Sequence, residues 1–236
     1  MTAGNNYFLE QDWEKASAAY ARALQEIPDD SEALMGLGIA LLELKRYPDA
    51  LKVFQNGSQI APENPAFLER TAEVMERLGR LQDGAQYYVQ AADVYLTKEH
   101  DLIRAIANWE QATRLTPGML QVHLRLSQAY ERTGQRKAAI RQYLIVAFNL
   151  QGINDREKAL QVIERAKRLE PNNIDLTNAE QALRSGERIK LPDDSDDHGG
   201  KRRQVVTATS EVPQAHPEGP LGEATEKALA ELAEYV

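Results

Sequence analysis

Residues 4–28 read GNNYFLEQDWEKASAAYARALQEIP and contain no His, no Cys and no Gly-rich phosphate loop. Their small and aromatic residues fall at fixed distances: Gly4, Tyr7, Trp13, Ala16, Tyr20, Ala23 and Pro28. The series returns thirty-four positions later as Gly38, Leu41, Ala50, Phe54, Gly57 and Pro62. One more step of the same size reaches Ala72, Met75, Gly84, Tyr88 and Ala91. It reappears as Ala105, Trp109, Ala112 and Pro117, as Ala139 and Tyr143, and as Ala159, Ile163, Ala166 and Pro171. A fixed period of this length marks stacked helical repeats.

The spacing has a packing explanation. Ala16, Tyr20 and Ala23 are four and three apart and share one helix face. A small residue at a crossing lets a neighbouring helix approach, and the aromatic fills the wider gap beside it. Gly4 and Gly38 supply the small residue on the preceding helix. Proline then ends each pair, because it lacks an N–H. In ENPA, residues 63–66, Asn64 is a helix N-cap and Pro65 the first helical residue. The pattern resembles the tetratricopeptide repeat family, whose unit is a helix–turn–helix of about 34 residues. The resemblance spans roughly residues 1–171. It implies an all-α, right-handed α-solenoid of antiparallel helix pairs.

The register is not uniform. Ala16, Ala50, Gly84, Ala105, Ala139 and Ala159 stand at intervals of 34, 34, 21, 34 and 20, and two of these intervals are too short for two helices. The second half therefore reads as two irregular three-helix units, 63–117 and 118–171, each with a shared middle helix. Ordinary repeats with one helix deleted give the same helix count. Eleven helices are expected, the last being a cap at 176–185 with Leu176, Ala179 and Leu183 inward and Asn178, Glu180, Gln181 and Arg184 in water. Aligned to the repeat, Met1 falls near the fifth position of a first helix, so the chain is expected either to start frayed or to be a piece of a longer protein.

Three segments follow: a repeat array at 1–186, an acidic, Pro-rich linker at 187–220, and an amphipathic helix at 221–236. The formal net charge of −8 divides into −3 for residues 1–186 and −5 for 187–236. Neither part has the concentrated basic face of a nucleic-acid binder. No apolar run is long enough to span a membrane, and no charged-then-apolar leader is present. The absence of cysteine excludes disulfides and thiolate metal sites and suits a cytoplasmic location. The acidic run Asp193, Asp194, Asp196, Asp197 and His198 lacks a fixed scaffold for a metal, and no cofactor is expected.

His100, His123, His198 and His216 show no catalytic arrangement, and no nucleophile elbow, P-loop or HExxH occurs. The expectation is a non-catalytic adaptor. In the resembling family, the first helices of successive units line a concave groove that holds peptides or helices of partners. By register, the groove residues are Asn5, Phe8 and Leu9; Met35, Ile39 and Leu42; Glu69, Arg70, Glu73 and Arg77; and Leu124, Arg125, Gln128 and Arg132. The groove reads apolar first and charged further on. The family's chaperone-binding carboxylate clamp is not expected, because only Asn5 and Arg70 match and Met1, Gly36 and Ala66 occupy the other places. The helix at 221–236, with Glu223, Glu226, Glu231 and Glu234, is a candidate occupant of a groove in cis or in a second copy. A structural, self-assembling segment or a regulatory repeat region of a larger protein is the alternative.

Overall fold

The computed structural model describes residues 2–192, which hold eleven α-helices and one π-helical turn. The helices are α1 (Thr2–Leu9), α2 (Trp13–Glu26), α3 (Ser31–Glu43), α4 (Tyr47–Ile60), α5 (Pro65–Arg77), α6 (Leu81–Val94), α7 (Leu102–Leu115), α8 (Leu120–Arg132), α9 (Arg136–Gly152), α10 (Arg156–Leu169) and α11 (Ile174–Ser185). The π-helical turn Tyr95–Glu99 extends α6. The acidic run after Pro192 and the 221–236 helix lie outside the described residues. The chain divides into two compact units, with the boundary inside α8 between Val122 and His123.

In the first unit each helix from α1 to α6 packs on its successor. The repeat anchors are the reason. Ala16, Ala50, Phe54, Ala105 and Ala112 are completely buried, and Tyr20 and Trp109 nearly so. The glycines make room for the rings. A Cβ on Gly4 would lie 2.8 Å from the Tyr20 ring, and one on Gly36 would lie 2.4 Å from it. The same test at Gly38 meets Phe54 at 2.3 Å, and at Gly57 meets Phe67 at 2.2 Å. Such distances are far inside carbon contact, so each aromatic lies directly on a bare backbone. Helix α6 packs on both α5 and α7. Helices α5 and α7 also meet directly: Asn108 donates to Glu69 at 2.7 Å, and Arg114 to Glu76 at 2.9 Å.

In the second unit α9 packs on α10 and α11, and α10 on α11. Leu176, Ala179 and Leu183 turn inward as the cap pattern requires. Glu180 departs from that pattern. Its carboxylate accepts from Lys167 of α10 at 2.5 Å and pairs with Arg184 at 2.8 Å, so it bolts the cap down.

Six of the ten connections between successive α-helices share one device. Gln11, Lys45, Gly79, His100, Gly134 and Asn154 are left-handed, with φ of 58, 59, 74, 54, 73 and 65°. After five of them the next N–H reaches back to close the helix: Asp12 to Tyr7, Arg46 to Leu41, Arg80 to Met75, Gln135 to Tyr130 and Asp155 to Leu150, at 2.8–2.9 Å. After the π-helical turn the loop is one residue longer, Asp101 to Tyr95. These six residues are separated by 34, 34, 21, 34 and 20, the intervals of the packing anchors. Only two of the six are glycine, the residue that adopts this conformation without strain.

The packed structure continues past residue 186. The Gln151 carboxamide donates to the Glu187 carbonyl at 2.6 Å and accepts from the Ile189 N–H at 2.9 Å. Ile189 is buried, and the Arg188 guanidinium lies 5.2 Å from the centre of the Phe148 ring. Residues 187–189, where the linker was expected to begin, are thus held on α9.

Candidate functional site

Helix α5 places Glu69, Arg70, Glu73 and Arg77 on adjacent turns of one face, because they are one, three and four apart. Those four residues line a cleft of about 420 Å³ in the first unit, together with Glu76, Tyr88 of α6 and Gln111 of α7. The α5–α7 bonds fix one wall. Glu69 is held by the Asn108 carboxamide, and Glu76 by the Arg114 guanidinium. Asn108 is itself buried and also donates to the Arg104 carbonyl at 3.0 Å, which sets its orientation.

The electrostatics differ from the expectation of a run of free arginines. Arg70 pairs with Glu73 at 2.8 Å, and Arg77 reaches the other oxygen of the same carboxylate at 3.9 Å. Arg70 is therefore paired inside the cleft, and Arg77 more loosely. Any attraction between this region and the glutamates of segment 221–236 is correspondingly reduced. Tyr88 is half-buried, and its hydroxyl is pushed above the ordinary phenol range by burial first and then by the Glu76 and Glu73 carboxylates. It remains a protonated donor at neutral pH. The cleft thus offers carboxylate acceptors, guanidinium edges and one phenol, which suits polar recognition. Among the described residues no group of three or more His, Asp or Glu side chains is placed to hold a metal ion.

The apolar set in α1 and α3 is less exposed than the register suggests. Leu42 is buried in the core, and Met35 and Ile39 pack against that core while only partly buried. Helix α3 carries apolar residues on nearly every face and packs on both α2 and α4, so its inner-face positions are consumed by packing. Phe8 is half-buried and meets Trp13 edge-on, with centroids 5.1 Å apart. Leu9 remains 80% exposed. Asn5 accepts the Tyr20 hydroxyl at 2.8 Å, and Arg70 is tied to Glu73, so both clamp-like residues are engaged.

In the second unit Leu124 is buried, Gln128 half-buried, and Arg125 and Arg132 exposed. A polar network there was hidden in the sequence. The Tyr143 hydroxyl donates to Glu131 and accepts from Arg165 Nε at 2.8 Å, while Arg165 reaches Glu131 at 3.4 Å. Burial, followed by the bond to Glu131, pushes the Tyr143 hydroxyl up to about 12. Tyr143 occupies an anchor position, and periodicity alone marks it as a packing aromatic. Only the Arg165–Glu131 separation, one repeat long, carries a hint of the bond.

No helix among the described residues is long and apolar enough to cross a membrane. Residues 7–69 match the family model described as tetratricopeptide repeat. The TPR repeat-containing thioredoxin TTL4 of Arabidopsis thaliana is 23% identical over 163 residues, 66% of this chain and 21% of that protein. The chain thus spans about a fifth of the length of that curated relative. A crystal structure of MamA is similar at 19% identity and a TM-score of 0.38, covering 71% of this chain and 98% of that one. The structure of pilF from Pseudomonas aeruginosa gives 16% identity and a TM-score of 0.36, covering 78% and 94%. With its repeat register, its ring-on-glycine helix pairs and this match over residues 7–69, the chain contains tetratricopeptide repeats.

Proposed function

We propose that this protein is a non-catalytic adaptor that binds a segment of a partner protein in the α5–α6–α7 cleft. The observation that carries the reading is the coincidence of register and shape. All four residues that the repeat register puts on the inner face of the third unit line the cleft of about 420 Å³. The lining supports binding over catalysis. Its groups are ion-paired carboxylates and guanidiniums beside a protonated phenol, with no nucleophile and base in hydrogen-bond reach.

A partner segment gains charge-assisted hydrogen bonds at Glu69, Glu73 and the arginine edges, which set orientation and specificity more than affinity. The test is comparative capture from cell extract with three forms of the full chain. A partner retained by the wild type and by Lys52→Glu on α4, but lost with Glu73→Lys, supports the cleft. A partner retained equally by all three removes the cleft from the function.

A further inference from the structure

A second surface, in the other unit, is set apart by its charge. Between His123 and Asn154 the chain has five Lys or Arg residues and one acid, Glu131, in a protein of net charge −8. That acid is turned inward to Tyr143 and Arg165. Arg132 ends α8, and Arg136 and Lys137 begin α9 across a short turn; all three are exposed.

The equivalent turns show what is missing. Each of the other five left-handed turns carries its own ion pair: Asp12–Lys15 at 2.6 Å, Arg46–Asp49 at 2.7 Å, Arg80–Asp83 at 2.7 Å, Asp101–Arg104 at 3.5 Å and Asp155–Lys158 at 3.0 Å. At the α8–α9 turn the corresponding places hold Gln135 and Ala138. Three exposed cations therefore fall within six residues at a turn that lacks the ion pair of its counterparts. An arriving anionic segment meets these cations with no carboxylate of the turn's own ion pair to compete with it.

We propose that the α8–α9 turn is a docking surface for an acidic segment of a partner protein, read by Arg132, Arg136 and Lys137. The surface is exposed, so recognition is electrostatic, fast to form and sensitive to salt. It is independent of the α5–α6–α7 cleft, and either can fail without the other.

The probe is a dye-labelled hexa-aspartate peptide, with hexa-serine as control, followed by fluorescence anisotropy on the full chain. Binding of hexa-aspartate alone is expected, weakening as salt rises from about 50 to about 300 mM across the range where the screening length shrinks below about 10 Å. The double change Arg136→Glu with Lys137→Glu should lower affinity about tenfold or more, since two attractions become two repulsions. Both changes put acids in the first turn of a helix, where they favour folding, and circular dichroism checks this. Lys52→Glu on α4, a change of the same charge sign away from both surfaces, should leave affinity unchanged. Undiminished binding by the double variant overturns the proposal, as does absence of binding by the wild type. A third result also overturns the partner assignment: binding seen only after Asp193, Asp194, Asp196 and Asp197 are all changed to Asn assigns the surface to the chain's own acidic run.

Discussion

Gly38→Ala sets two physical effects against each other, and their sizes decide the sign. On intrinsic helix propensity the change is favourable by about 1 kcal/mol, because Gly is the weaker helix former. The packing term opposes it. The new Cβ would lie 2.3 Å from Phe54 Cε1 and 2.7 Å from Cδ1 and Cζ. Carbon atoms rest at roughly 3.5–4.0 Å, so ring or helix must retreat by about an ångström. Phe54 is fully buried, so its ring cannot swing into solvent to escape. Overpacking of this kind costs about 1–3 kcal/mol, occasionally more, and three clashing ring atoms put Gly38 at the upper end. We expect net destabilisation of about 2 kcal/mol, or a fall in Tm of about 4–8 °C for a chain of this size. Urea unfolding followed by far-ultraviolet circular dichroism measures it. Gly152→Ala, at the end of α9 with nothing within 4 Å of the new Cβ, is the control and should be neutral or slightly stabilising. Phe54→Leu should offset part of the clash, giving a coupling of about 1 kcal/mol in the double-mutant cycle. If Gly38→Ala is as stable as the wild type, or strictly additive with Phe54→Leu, the ring-on-glycine account of the repeat is wrong.

Two further predictions concern the turns and the buried network. Lys45→Gly relieves a left-handed strain of about 1–2 kcal/mol against a backbone-entropy loss of about 0.5–1 kcal/mol, so denaturant melts should show stabilisation by about 0.5–1 kcal/mol, while Gly79→Ala should destabilise by about 1 kcal/mol. For Tyr143 the folded value of about 12 stands above that of an unfolded phenol, near 10. Its contribution is complete below pH about 10 and is lost as pH rises towards about 12, amounting to about 3 kcal/mol. Tyr143→Phe loses the bonds to Glu131 and Arg165 and should be less stable at neutral pH; it also removes this titration and should show a flatter alkaline limb, and an unchanged limb would remove Tyr143 as its source.

Much of the fold was legible because the repeat writes its contacts into spacing. Ala16, Tyr20, Ala50 and Phe54 are buried where the register puts them, and Asn64 caps α5 with Pro65 behind it. The cleft was half legible for the same reason. Glu69, Arg70, Glu73 and Arg77 follow from register on one helix, whereas Tyr88 of α6 stands at a place the register marks for a packing aromatic, and Gln111 arrives from α7, where the interval drops to 21. Leu42 escaped because a helix apolar on most faces gives periodicity no phase to report. The arginine pairing escaped because a residue list records charges without their partners: Glu73 sits about one turn from both Arg70 and Arg77 and engages both. The fastening of residues 187–189 depends on a single carboxamide and one isoleucine, too few residues to leave a pattern.

That fastening sets where the rest of the chain starts. Gln151 grips main-chain atoms of Glu187 and Ile189 through both halves of its amide, so the side chain at 187 is free to vary, while proline at 189 would remove the N–H that is held. A fragment cut at the last helical residue, Ser185, would leave both ends of that amide without their partners and uncover the apolar surface beneath Ile189. The described chain therefore leaves the fold at the foot of α9, beside Ile189, and not at the end of α11.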